Sequence, residues 1–138
     1  MTRFVVDASV VVKWLVEEEY TERALRLNTP GNVLLAPGFF LIEVSNTLWK
    51  KWRRGEVTSD EVRRAYSLVA TAPIVALDPE LLVEPALDLA MALGVTVHDA
   101  LYVAAALREQ CPLVTADRRL HDALLPAFPA NVTWVGSL

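Results

Sequence analysis

Four acidic side chains stand where chemistry is a reasonable expectation: Asp7, Glu43, Asp99 and Asp117. Asp7 ends the apolar run Phe4-Val5-Val6, and Asp117 follows the apolar run Leu113-Val114-Thr115. Asp99 falls in the first turn of a helical stretch opening at Thr96, and Glu43 lies within Phe39-Phe40-Leu41-Ile42-Glu43-Val44. That last segment reads as a helix start that is apolar nearly all round, where an ionised carboxylate is costly unless paired or bound to a cation. Carboxylates without a His or Cys cluster suit a hard, oxygen-seeking ion, Mg2+ or Mn2+, which leaves coordination positions for water and phosphate. Zinc is disfavoured, because His98, His121 and Cys111 have no ligand spacing. An ion held by such acids can activate water for in-line attack on a phosphodiester.

Each acid also has an ordinary explanation. Asp7 and Asp117 are favoured helix caps. Asp99 stands at capping-box spacing from Thr96. Glu43 could be held by a salt bridge or by the positive end of its helix.

The elements that must position these acids follow from pattern and punctuation. Phe4–Val6 reads as a buried strand, followed by a helix from Val10 to about Val16 and a second from Glu17 to Asn28. Thr29-Pro30-Gly31-Asn32 is turn chemistry, and Val33–Ala36 is a second strand. A long helix spans about Phe39–Arg54, with Gly55 as its stop. Thr58 and Glu61 have capping-box spacing for a helix to about Ala72. Ile74–Leu77 is a third strand; Asp78-Pro79 opens a helix that Pro85 kinks or relieves of its first turn, and Gly94 ends it. A helix from Thr96 to about Glu109, a strand at Leu113–Thr115, a short helix from Arg118 to Leu125 and a strand at Val132–Val135 complete the order. Short apolar strands alternating with helices imply an α/β class: a three-layer α/β/α sandwich around a mostly parallel sheet, one domain over residues 1–138. In such sheets function collects at the carboxyl ends of strands. Asp7, Asp99 and Asp117 share that rim if the first and fourth strands lie side by side.

Composition narrows the class further. Hydrophobic residues make up 54% of 138 residues, so a continuous core is expected and long disorder is not. The apolar runs fall short of the ~18 residues that a membrane span needs, and no signal-peptide cleavage site follows Met1-Thr2-Arg3. The lone Cys111 excludes an internal disulfide and agrees with a reducing cytoplasm. The net charge of −4 argues at first sight against a polyanionic partner, yet Lys50, Lys51, Arg53 and Arg54 cluster at one helix end, and Arg118 adjoins Arg119.

Together, Val6-Asp7-Ala8-Ser9-Val10, Glu43-Val44-Ser45-Asn46, His98-Asp99-Ala100-Leu101-Tyr102-Val103-Ala104 and Thr115-Ala116-Asp117 resemble the PIN-domain pattern, especially that of VapC-type toxins. The resemblance spans the chain in the right order, and Lys13-Trp14 after the first motif agrees with it. It implies a Rossmann-like sandwich, Mg2+- or Mn2+-dependent endoribonuclease activity, frequent homodimers, and inhibition by a small cognate antitoxin whose tail enters the active site. By position, Asp7, Glu43, Asp99 and Asp117 match the acidic quartet; Ser9 and Thr115 match hydroxyls near the metal, and Asn46 a polar position after the Glu. His98 stands where a Tyr is common.

Several further residues carry two readings. Lys13, Lys50, Lys51, Arg53, Arg54 and Arg118 are candidate RNA contacts, although cations in a last helical turn also complement the helix dipole. Trp49 and Trp52 can stack on bases, but Trp at helical spacing is more often core or interface. His98 could assist proton transfer or simply be satisfied at its helix start; His121 reads as surface. A non-catalytic RNA- or protein-binding module on the same fold is the alternative function. A signalling receiver is a third reading, weakened because Asp7 has no acidic neighbour.

Overall fold

The computed structural model describes all 138 residues. Five strands form one parallel sheet: β1 (Thr2–Val6), β2 (Asn32–Pro37), β3 (Ile74–Leu77), β4 (Leu113–Thr115) and β5 (Val132–Trp134), in the spatial order β3-β2-β1-β4-β5. The helices are α1 (Ala8–Leu15), α2 (Thr21–Leu25), α3 (Phe40–Arg53), α4 (Ser59–Ala70), α5 (Val83–Leu93), α6 (Val97–Glu109) and α7 (Arg118–Leu124). Connections β1–β2 and β2–β3 run one way across the sheet, and β3–β4 and β4–β5 run the other. Right-handed crossovers then put α1 to α4 on one face and α5 to α7 on the opposite face. The helix packing agrees: α1 lies against α2 and α3, and α5 against α6. This is the expected three-layer α/β/α sandwich.

The reversal of direction has a consequence for function. β1 and β4 lie side by side, with Val5 opposite Leu113 and Val6 opposite Val114. The crevice beyond their carboxyl ends is the topological switch point, where open parallel sheets bind ligands.

Local signals explain most boundaries. Thr58 and Glu61 form both halves of a capping box, at 3.1 and 3.0 Å. The expected relief at Pro85 is a 3-10 turn, Pro79–Leu82, capped by Asp78; α5 starts after it, with Pro85 in the first turn where its missing N–H costs nothing. Gly94 ends α5 in the left-handed conformation that a side chain would resist. The run Ala100–Ala106 is wholly buried, so α6 lies under the sheet's centre against β1, β2 and β4.

The second helix is much shorter than the expected Glu17–Asn28. Tyr20 adopts a left-handed φ of 66°, and Lys13 holds Glu18 and the Glu19 carbonyl in a loop, so regular helix begins only at Thr21. The first helix starts earlier than Val10, at Ala8 directly after Asp7.

Helix α3 is not apolar all round. Its buried stripe is Phe40, Val44 and Leu48, whereas Ile42 is 72% exposed. Burying Val44 and Leu48 stabilises by roughly 1.5–3 kcal/mol each, which sets the helix rotation and turns Glu43 toward the rim. The Glu43 side chain is 34% exposed there, so the deep apolar isolation expected for it does not occur.

Candidate active site at the β1–β4 switch point

Asp7 is the residue around which the site is organised. Thr115 Oγ1 donates to Asp7 Oδ2 at 2.8 Å, and Ser9 Oγ donates to the same oxygen at 2.9 Å. Each hydroxyl also accepts from the backbone after β4: Thr115 Oγ1 from Asp117 N–H at 3.0 Å, Ser9 Oγ from Ala116 N–H at 3.1 Å. Their hydrogens are thereby committed to Asp7, and the carboxylate is fixed with Oδ1 outside both bonds. Asp7 is 7% exposed and holds the N-cap position of α1 without making a side-chain cap bond. The ordinary explanation as a cap therefore fails for Asp7.

For Asp117 that explanation holds. Its Oδ1 accepts from the N–H groups of Arg119 and Leu120 at 3.0 and 3.3 Å, capping α7. Capping orients the group without using Oδ2. In α6, Thr96 caps by accepting Asp99 N–H at 3.2 Å. The Asp99 carboxylate does not return the bond and stays half-buried at the rim.

Electrostatics tie three of these acids together. Burial pushes the Asp7 carboxyl up from 3.8 to about 6; the Thr115 and Ser9 hydrogen bonds oppose this, and repulsion from Asp99 and Asp117 adds to it. Burial and then repulsion from Asp117 raise Asp99, partly offset by Thr96, His98 and Arg119. The fourth acid, Glu43, has its Oε1 4.0 Å from Nε2 of the exposed His98, whose ring tilts against Phe39 at 5.5 Å. Burial, and then the charges of Asp7, Glu43 and Asp99, raise the Tyr102 hydroxyl.

No three His, Cys, Asp or Glu side chains approach closely enough to enclose an ion in this geometry. The chemistry of the donors nevertheless fits a hard divalent cation: all are oxygens, and Asp7 is raised by burial first and by Asp99 and Asp117 in addition, a cost that positive charge relieves. Asn46, by contrast, is exposed one turn along α3 from Glu43 and takes no part in the hydrogen-bonded cluster.

Two of the candidate RNA contacts are engaged within the chain. Lys13 is buried, with Nζ 2.7 Å from the Glu19 carbonyl and 3.2 Å from Glu18 Oε1. Lys51 lies 2.7 Å from Glu18 Oε2 and 3.8 Å from Glu56. Lys13 clamps the α1–α2 loop back onto α1, and Lys51 ties the same loop to α3. Burial would raise Glu18, but bonds from Lys51 and Lys13 outweigh it and hold its carboxyl low. Lys50 and Arg53 stay exposed, Arg53 over the Trp49 ring at 5.2 Å; Arg54 pairs with Glu56 at 3.1 Å. Arg118 stacks on Trp134 at 3.8 Å, beside Asp117. Trp49 and Trp52 are half exposed instead of core, and His121 is packed against Trp134 instead of lying free on the surface.

Residues 4–123 match the family model described as PIN domain. The chain belongs to the PIN-domain family. This PIN-domain protein is 37% identical over 141 residues to Ribonuclease VapC3 of Pyrobaculum aerophilum, an alignment covering 95% of this chain and 98% of that one. A solved Pyrobaculum aerophilum protein superposes with a TM-score of 0.70 at 23% identity, over 99% of this chain and 85% of the other. VapBC2 of Rickettsia felis, bound to a promoter DNA fragment, gives 0.67 at 12% identity over 96% and 98%. These two structures share the fold.

One side chain of the site was not singled out from sequence: Tyr102, three residues after Asp99 in α6. The signal was a polar-tipped ring inside an otherwise apolar helix, where a buried hydroxyl needs a partner.

Proposed function

We propose that this PIN-domain protein is a divalent-metal-dependent endoribonuclease, one domain over residues 1–138, and the toxin of a VapBC-type pair. Asp7, Glu43, Asp99 and Asp117 are the proposed metal-binding and catalytic acids, with Mg2+ or Mn2+ as the ion. The observation that carries the reading is Asp7: a buried carboxylate at the switch point, oriented by Ser9 and Thr115 and burdened by the charges of Asp99 and Asp117. RNA as the substrate is supported by the relative named Ribonuclease VapC3.

When bound, a divalent ion supplies Lewis-acid polarisation of a phosphate and a water of lowered pKa. The protein's part is orientation. Thr115 and Ser9 hold Asp7 Oδ2 and leave Oδ1 for a cation, while the α7 cap uses Asp117 Oδ1 and leaves its Oδ2 free. Glu43 stands half-exposed at the start of α3, within 4.0 Å of His98 Nε2. Arg118, Lys50, Arg53 and Arg54, the last sharing its charge with Glu56, are the proposed cations for RNA phosphates once the engaged Lys13 and Lys51 are set aside.

A VapB-type antitoxin is the proposed partner, as in the similar toxin–antitoxin structures. The exposed apolar groove between α3 and α4, lined by Trp49, Trp52, Val62 and Tyr66, offers surface for it. The exposed stripe Val83, Leu87 and Met91 on α5 supports a homodimer. No single helix is long and apolar enough to cross a membrane; the cytoplasm is the location proposed for an RNA-cutting activity.

The test is Mn2+-dependent cleavage of a mixed RNA pool by wild type and Asp7→Asn. Cleavage by the wild type alone is expected. Equal activity in both, or none in wild type at saturating Mn2+, overturns the reading.

A further inference from the structure

Tyr102 carries an observation that packing alone does not explain. It is 2% exposed, and its ring meets Phe39 with centroids 5.5 Å apart in an edge arrangement. Its Oη is the one buried side-chain polar atom in the chain without a hydrogen-bond partner. The Ala8 amide lies close by without meeting hydrogen-bond geometry.

Buried tyrosine hydroxyls nearly always find an acceptor, and leaving one unmade is costly. A phenylalanine would fill the same space on α6 without that cost. The charges of Asp7, Glu43 and Asp99 act on the hydroxyl, yet none of these carboxylates accepts its hydrogen. Asp7 Oδ2 is already taken by Ser9 and Thr115. The hydroxyl is therefore buried at the start of the site with its hydrogen claimed by no acceptor of the protein.

We propose that Tyr102 is a functional residue of the site, its Oη–H donating to a ligand oxygen held between Asp7 and Glu43. That oxygen is either a water carried by the metal or a non-bridging oxygen of the RNA phosphate. On a non-bridging oxygen the bond stabilises the negative charge that builds as phosphorus is attacked, and on a water it would fix the position of the attacking oxygen. This inference rests on the metal-dependent nuclease reading above.

The test is Tyr102→Phe in the full chain, with three measurements: melting temperature without metal, Mn2+ affinity by calorimetry, and kcat and KM on a defined RNA. The metal-free variant is expected to melt at or above the wild-type temperature, because an unpaired hydroxyl has been removed. Its kcat is expected to fall about tenfold or more. A weaker Mn2+ affinity with that fall assigns the oxygen to the metal's water, and a raised KM assigns it to the phosphate. If neither moves, the contact forms only in the transition state. A kcat within twofold of wild type overturns the proposal, as does a clear fall in metal-free melting temperature, which marks a hidden structural bond. If wild type neither binds Mn2+ nor cuts RNA, the nuclease reading falls and this proposal with it; a wild-type-like Tyr102→Phe removes this proposal alone.

Discussion

Replacing Asp7 with asparagine keeps the side chain's shape and removes its charge, and the metal-free protein should become more stable for it. Asp7 titrates at about 6 in the folded chain against an ordinary value of 3.8. A carboxyl raised by folding binds its proton more tightly in the native state. The native state therefore loses stability relative to the unfolded chain as pH rises from about 3.8 to about 6, and the loss is complete above that. At 1.36 kcal/mol per pH unit, the full loss is about 3 kcal/mol at pH 8 and about half of that at pH 5. Asp7 is nearly fully buried, so solvent screening gives little reason to discount this. Asparagine carries no such cost, and its carbonyl can still accept from Ser9 and Thr115. The stability gap between Asp7→Asn and wild type should widen by about 1.5 kcal/mol from pH 5 to pH 8, roughly 3–6 °C in melting temperature for a chain of this size. Calorimetry with EDTA at the two pH values measures it, and groups common to both proteins largely cancel in the difference. Saturating Mn2+ at pH 8 should then raise the melting point of wild type and not of Asp7→Asn. A gap of equal size at pH 5 and pH 8 would refute the reasoning, since Asp7 would then carry no folding-linked proton.

Three other substitutions separate roles that coincide in one residue. Asp117→Asn keeps an acceptor for the α7 cap and should lose cleavage at nearly unchanged stability; Asp117→Ala should lose cleavage and about 1 kcal/mol as well, both read by urea unfolding. Thr115→Val removes a donor from Asp7 and strands the Asp117 N–H, costing about 1–3 kcal/mol. Because that bond lowers the Asp7 pKa, the acid limb of the pH–rate profile should move to higher pH. Lys13→Ala should cost about 1–3 kcal/mol by leaving the Glu19 carbonyl unpaired and Glu18 with Lys51 alone, while KM for RNA stays at the wild-type value.

Much of the architecture was legible because its signals are local. The Thr58–Glu61 capping box, the Asp78-Pro79 start, the Gly94 stop and the apolar strands each depend on residues a few positions apart. Asp7 and Asp117 could be read as standing at strand ends for the same reason. What each acid experiences was not legible, because it depends on contacts between distant parts of the chain. Asp7 and Thr115 are 108 positions apart, and only the β1–β4 pairing makes their hydrogen bond and with it the buried, oriented carboxylate. The rotation of α3, set by Val44 and Leu48, decided that Glu43 sits half-exposed and not isolated in apolar surroundings. The fold of the 17–20 loop turned Lys13 from a candidate RNA contact into a buried clamp. Spacing along the chain thus identified which residue types could serve a metal-dependent reaction. Tertiary packing decided which of them are desolvated, which are already bonded, and which, like the Tyr102 hydroxyl, are left facing the site without a partner.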